Sequence, residues 1–101
     1  MTQSIDLTQG GGASAVTVPA ATSGFVIKAK RGRLCAVLVT EDFATTPLVF
    51  TDDLGTGLGT VLAVVPATAT AGTVIRPQMI AQYGIYAVGG SGQAACTVSY
   101  N

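Results

Sequence analysis

The chain has 101 residues, enough for one domain with a single core and little to spare. Five basic and five acidic side chains cancel, and only 10% of residues are charged, against about 25% in an average globular protein. The zero balance argues against a nucleic-acid partner, and the lack of histidine removes the commonest general base and pH switch.

From its start, Met1 to Gly12 lacks the basic residues and apolar run of a secretory signal. No apolar run nears the ~20 residues of a membrane-spanning helix. The expectation is a protein made and assembled in the cytoplasm, or exported without its own signal, with no membrane partner. Gly10, Gly11 and Gly12 form a flexible joint. Residues 1–14 therefore read as an arm that orders on a neighbour or stays disordered, and residues 15–101 as the folded domain.

Gly and Pro recur too often for a long helix. The longest stretch free of both, Arg33 to Thr46, is rich in Val and Leu and reads as strand. Strands are expected at Ala15–Val18, Phe25–Lys30, Leu34–Thr40, Leu48–Thr51, Thr60–Val65, Thr73–Arg76, Tyr83–Val88 and Ala95–Tyr100. In Phe25–Lys30 the alternation sets Phe25, Ile27 and Ala29 against Val26, Lys28 and Lys30. Leu34–Thr40 is apolar on both faces, with Cys35, Val37 and Val39 against Leu34, Ala36 and Leu38, which places it mid-fold or in an interface. In the last strand Cys96, Val98 and Tyr100 alternate with Thr97 and Ser99. About eight strands joined by turn chemistry make an all-β fold, a single β-sandwich of jelly-roll or Greek-key type. Strand order is not readable at this stage.

Several motifs invite chemistry. The Gly55-Thr56-Gly57-Leu58-Gly59 run lacks the lysine and following helix of a phosphate loop, and fits a loop that needs positive φ angles. Asp52 and Asp53 offer oxygens suited to calcium, but only five carboxylates exist and no ligand spacing appears, so turn residues are the better reading. Cys35 and Cys96 read as buried thiols acting as small hydrophobes; their spacing suits no zinc site, and whether they pair is left open. The serines have no base to activate them, and nothing sets Glu41 and an aspartate across a cleft. No catalytic residue, metal, cofactor or small-molecule substrate is therefore expected. Sugar binding leans on aromatic platforms, and the chain has six aromatics and no Trp. Tyr83, Tyr86 and Tyr100 fall in strands, with rings expected to pack.

Charge is the most patterned feature. Lys28, Lys30, Arg31 and Arg33 hold four of the five basic residues. They form a contact for an anionic partner, or else a solvated hairpin end and a lysine-protected edge. Their complement, Glu41, Asp42, Asp52 and Asp53, suits a head-to-tail contact between copies, which sets register more than affinity. So little charge on the remaining surface suggests that another chain covers part of it.

Four segments taken in order resemble a family of short β-rich virion proteins of tailed bacteriophages. These are Gly32-Arg33-Leu34; Leu48-Val49-Phe50-Thr51-Asp52 with the glycine-rich turn into Gly59-Thr60-Val61-Leu62; Tyr83-Gly84-Ile85-Tyr86-Ala87-Val88; and Cys96-Thr97-Val98-Ser99-Tyr100. The resemblance spans most of the chain after Gly24. It implies a structural virion protein of the head decoration, or cement, type. Such a protein is a homo-oligomer, for instance a trimer, that sits on the capsid surface and binds the major capsid protein and copies of itself. The rival readings are a tail, fibre or host-attachment module and a carbohydrate-binding β-sandwich.

Overall fold

The computed structural model describes residues 14–56 and 58–101, and among them there is no helix. The arm read at residues 1–14 lies, apart from Ser14, outside the described residues. Nine strands follow one another: β1 (Ser14–Val18), β2 (Phe25–Lys28), β3 (Gly32–Val39), β4 (Leu48–Asp52), β5 (Thr60–Val65), β6 (Val74–Ile75), β7 (Met79–Ala81), β8 (Ile85–Val88) and β9 (Cys96–Tyr100).

The strands form two antiparallel sheets. One has the order β1-β9-β3-β6, with β7 also paired to β3, and the other the order β2-β8-β4-β5. Strand β6 pairs with Val37 and Leu38, while β7 pairs with Gly32 to Leu34. Together they are one edge strand interrupted at Arg76-Pro77-Gln78. Proline cannot donate to the ladder, Gln78 takes a left-handed backbone with φ 51°, and its Nε2 donates to the Cys35 carbonyl at 3.3 Å. The strand expected at Thr73–Arg76 is thus shorter, and β7, beyond Pro77, is an addition to the sequence reading.

With β6 and β7 counted as one, the pairings nest: β4 with β5, β3 with β6/β7, β2 with β8, and β1 with β9. A long hairpin whose first strand meets its last, wrapped into two facing sheets, is a jelly roll. The β-sandwich expected from the sequence is the fold observed.

Alternation fails where the ladders shift register. Bulges insert one extra residue at Ile27, Cys35 and Leu62. In β3 the bulge brings Leu34, Val37 and Val39 into the core together and turns Ala36 and Leu38 outward. The division read from the sequence, Cys35 with Val37 and Val39, is corrected accordingly. In β2, Ile27 reaches the core, the strand stops at Lys28, and Ala29 is exposed rather than inward. The last strand keeps its expected alternation.

The core lies between the sheets. Cross-strand rows Val16–Val98–Val37–Ile75 and Val18–Cys96–Val39 face Phe25–Ala87–Phe50–Ala63. Each fully buried Val, Leu or Phe there contributes about 1.5–3 kcal/mol. Cys96 belongs to this core, while Cys35 does not, and both are free and buried. Cys35 is four residues along β3 from Val39, the partner of Cys96. That is roughly 13 Å of extended strand, too far for a disulfide.

Candidate interaction surfaces

Strand direction sorts the loops into two ends. Residues 29–31, 53–56, 58–59, 82–84 and 101 lie at one end; residues 19–24, 40–47, 66–73 and 89–95 lie at the other. The basic cluster gathers at the first. Lys28, Arg31 and Arg33 line a shallow concavity of about 360 Å³ with Gly32, Ile80 and Asn101, while Lys30 is exposed outside it. Its floor is fixed by a reciprocal backbone pair, Arg33 N to Asn101 O at 3.2 Å and Asn101 N to Arg33 O at 3.0 Å. A Cβ on Gly32 would stand 2.3 Å from the Asn101 carbonyl and 2.7 Å from Lys28 Cδ, so glycine is what lets these chains cross.

The acidic residues do not form one complementary patch. Glu41 and Asp42 are exposed at the second end, about 25 Å along β3 from Arg33, and Asp42 Oδ1 accepts the Ala71 amide at 2.8 Å. Asp52 and Asp53 sit at the basic end, and their carboxylates face inward to the chain's own amides. Asp52 Oδ2 accepts Gln82 N at 2.8 Å, and its Oδ1 accepts Tyr83 N at 2.8 Å and Gly84 N at 3.4 Å. Burial works to raise this carboxyl, yet the three amide hydrogens outweigh it and hold the carboxyl below the usual carboxylate range. An electrostatic head-to-tail contact between copies is left with Glu41 and Asp42 alone.

Asp53 organises the glycine-rich loop. Its Oδ1 accepts Gly55 N at 2.7 Å and Thr56 N at 3.0 Å, and its Oδ2 accepts Gly59 N at 3.1 Å and the Thr51 hydroxyl at 2.8 Å. The amides that a phosphate loop would turn to a ligand are here turned to an internal carboxylate. Wound round that anchor, the loop presents Leu54, 57% exposed, and Leu58, 89% exposed.

At the opposite end Gln93 does the equivalent work, unannounced by any motif. Its fully buried side chain accepts Thr22 N at 2.9 Å through Oε1 and donates through Nε2 to the carbonyls of Pro19, at 3.0 Å, and Ala94. Ala21 N reaches the Gln93 carbonyl at 2.9 Å, and Gly89 N reaches that of Thr22 at 3.1 Å. A Cβ on Gly89 would lie 2.2 Å from Gln93 Oε1. A lone glutamine in a polar loop carries no sequence signal of such burial. Tyr83 also departs from expectation: it precedes β8 and is 68% exposed, whereas Tyr86 and Tyr100 are partly buried.

Each sheet turns one face outward. Across the β1-β9-β3-β6 sheet the rows read Ala15–Ser99–Ala36 and Thr17–Thr97–Leu38–Val74. Across the other sheet they read Val26–Tyr86–Thr51–Val61 and Val88–Val49–Val64, with Thr51 itself buried. No charged side chain stands in any of these rows. Among the described residues no three of Cys, Asp and Glu gather as a metal site. Burial pushes the Cys96 thiol up to about 11, and burial also raises Cys35, outweighing the opposing pull of the Arg33 charge. Comparison with protein-family models, with curated proteins and with solved structures gives no match.

Proposed function

We propose that this chain is a structural protein of a tailed-phage particle, a head decoration protein that binds the assembled shell and other copies of itself. The observation that carries the reading is the set of uncharged cross-strand rows on the outward side of both sheets, interrupted only toward one end by Arg33 opposite Ile80, on a protein with 10% charged residues. Surfaces of that kind are used when other subunits cover them. The jelly roll suits the role, since the architecture recurs in viral shells, although a fold alone assigns no function. The four segments that resemble phage virion proteins lie on the start of β3, on β4 and β5, on β8, and on β9, and so belong to the sandwich itself.

A decoration protein stabilises a shell by binding the assembled lattice in preference to free subunits. High copy number supplies avidity, so each contact needs little strength of its own. The test is to add the purified chain to assembled heads and, separately, to unassembled shell subunits. Saturable co-sedimentation with heads, and a raised temperature of head disruption, is the expected outcome. Equal binding to free subunits, or none to either, would overturn the proposal.

A further inference from the structure

Two ordinary roles for the basic cluster, a protected edge and a solvated turn, account for Lys30, exposed outside the concavity. They do not account for the other three together. Arg33 stands on β3, a strand bonded on one side to β7 and on the other to β9 and Asn101, so it guards no edge. Lys28 ends β2, but it is half-buried and its side chain lies across Gly32 instead of running free into solvent. A Cβ on Gly32 would meet Lys28 Cδ at 2.7 Å and Nζ at 3.1 Å. The absence of a side chain at Gly32 is what lets the ammonium rest beside Arg31 and Arg33 in the lining.

The concavity also has an apolar wall. Arg33 and Ile80 are cross-strand partners on β3 and β7, which sets the two side chains about 5 Å apart at their Cβ atoms. Ile80 is 51% exposed. No aspartate or glutamate lines the space. The two acids at this end, Asp52 and Asp53, turn their oxygens to backbone amides of their own loops. The Arg33 amide is already given to the Asn101 carbonyl, so recognition of a ligand falls to the side chains.

Cations set against an exposed isoleucine suit an anion that brings apolar atoms with it. Guanidinium forks match a planar carboxylate through paired hydrogen bonds. A glutamate stem, or an apolar residue next to it, can lie on Ile80. Nucleic acid and anionic lipid draw instead on a broad positive field, and this end sets four cations against two carboxylates on a chain of zero net charge. We infer that the concavity of Lys28, Arg31 and Arg33 is a binding site for a carboxylate of an acidic, partly apolar peptide segment on a partner protein, with Ile80 receiving its apolar part. The site does not rest on the virion reading, since any partner that presents such a segment would fill it.

The test follows the backbone amide signals of the isotope-labelled chain while the capped peptide acetyl-Glu-Leu-Glu-amide is added to millimolar concentration at low salt. Saturable shifts centred on Lys28, Arg31, Arg33, Ile80 and Asn101 are expected, and they should fade as salt rises. The Arg31→Gln/Arg33→Gln variant changes two exposed positions, should keep its circular dichroism, and should bind the peptide about tenfold more weakly. Lys30→Gln removes a charge from the same turn but from outside the concavity, and should change affinity by less than about twofold. Acetyl-Gln-Leu-Gln-amide should leave the spectrum unchanged, and inorganic phosphate at matched ionic strength should bind more weakly than the glutamate peptide. No saturable shift at the concavity, a loss from Lys30→Gln as large as that from the double variant, or phosphate binding as well as the peptide would each overturn the inference.

Discussion

Asp52 and Asp53 are neighbours in sequence and hold opposite sides of one end of the sandwich. Side chains alternate along a strand. The first of the pair therefore turns to the segment before β8 and the second to the loop before β5. Both read as ordinary turn aspartates in the sequence, because nothing local reveals that Gln82, Tyr83 and Gly84, about thirty residues on, will return beneath them. Asp52→Asn swaps a charged acceptor for an amide that must present NH₂ to backbone N–H groups, and is expected to cost about 2–3 kcal/mol at neutral pH. The folded carboxyl titrates below its unfolded value. Its contribution is therefore complete above about pH 4 and is lost as pH falls through the depressed folded value. Urea midpoints measured from pH 7 to pH 2 should show the wild type losing stability over that acid range and the variant losing less. Equal loss in both would assign the acid sensitivity elsewhere.

At the scale of elements, strand positions were the most legible feature. Thr60–Val65 is fenced by Gly59 and Pro66, and the structure keeps both limits. Strand β7 was not legible, since three residues after a proline carry no period. Facing was legible in β9, which carries no bulge of its own. A bulge is a relation between two strands and leaves no mark on one of them, so the inside of β3 was misassigned, while in β2 Phe25 and Ile27 share the core side as read and only Ala29, past the strand's end, departs. The loops follow the same logic. The basic cluster was visible as a run of charge, and the structure brings Lys28, Arg31 and Arg33 together. Gln93 was invisible, because its burial depends on the chain at Pro19 to Thr22 lying alongside. Gln93→Ala leaves the Thr22 amide and Pro19 carbonyl unpaired, and should lower stability by about 2 kcal/mol by chemical denaturation. Hydrogen exchange should speed up first at Ala21 and Thr22. Unchanged stability would mean that water takes over both bonds.

For the whole molecule, the jelly roll leaves uncharged rows on the outward side of both sheets and, Arg76 apart, gathers the charge of the described residues toward the two ends. Composition alone raised the expectation that other chains cover part of the surface. It could not indicate where uncharged surface lies, because that follows from the nested pairing of first strand with last. The central claim is that this chain is a stoichiometric part of an assembled shell. The direct measurement is its copy number in purified particles, taken against the major shell subunit by quantitative mass spectrometry. The account predicts a copy number equal to that subunit or a fixed simple fraction of it. Absence of the chain from purified particles would contradict it.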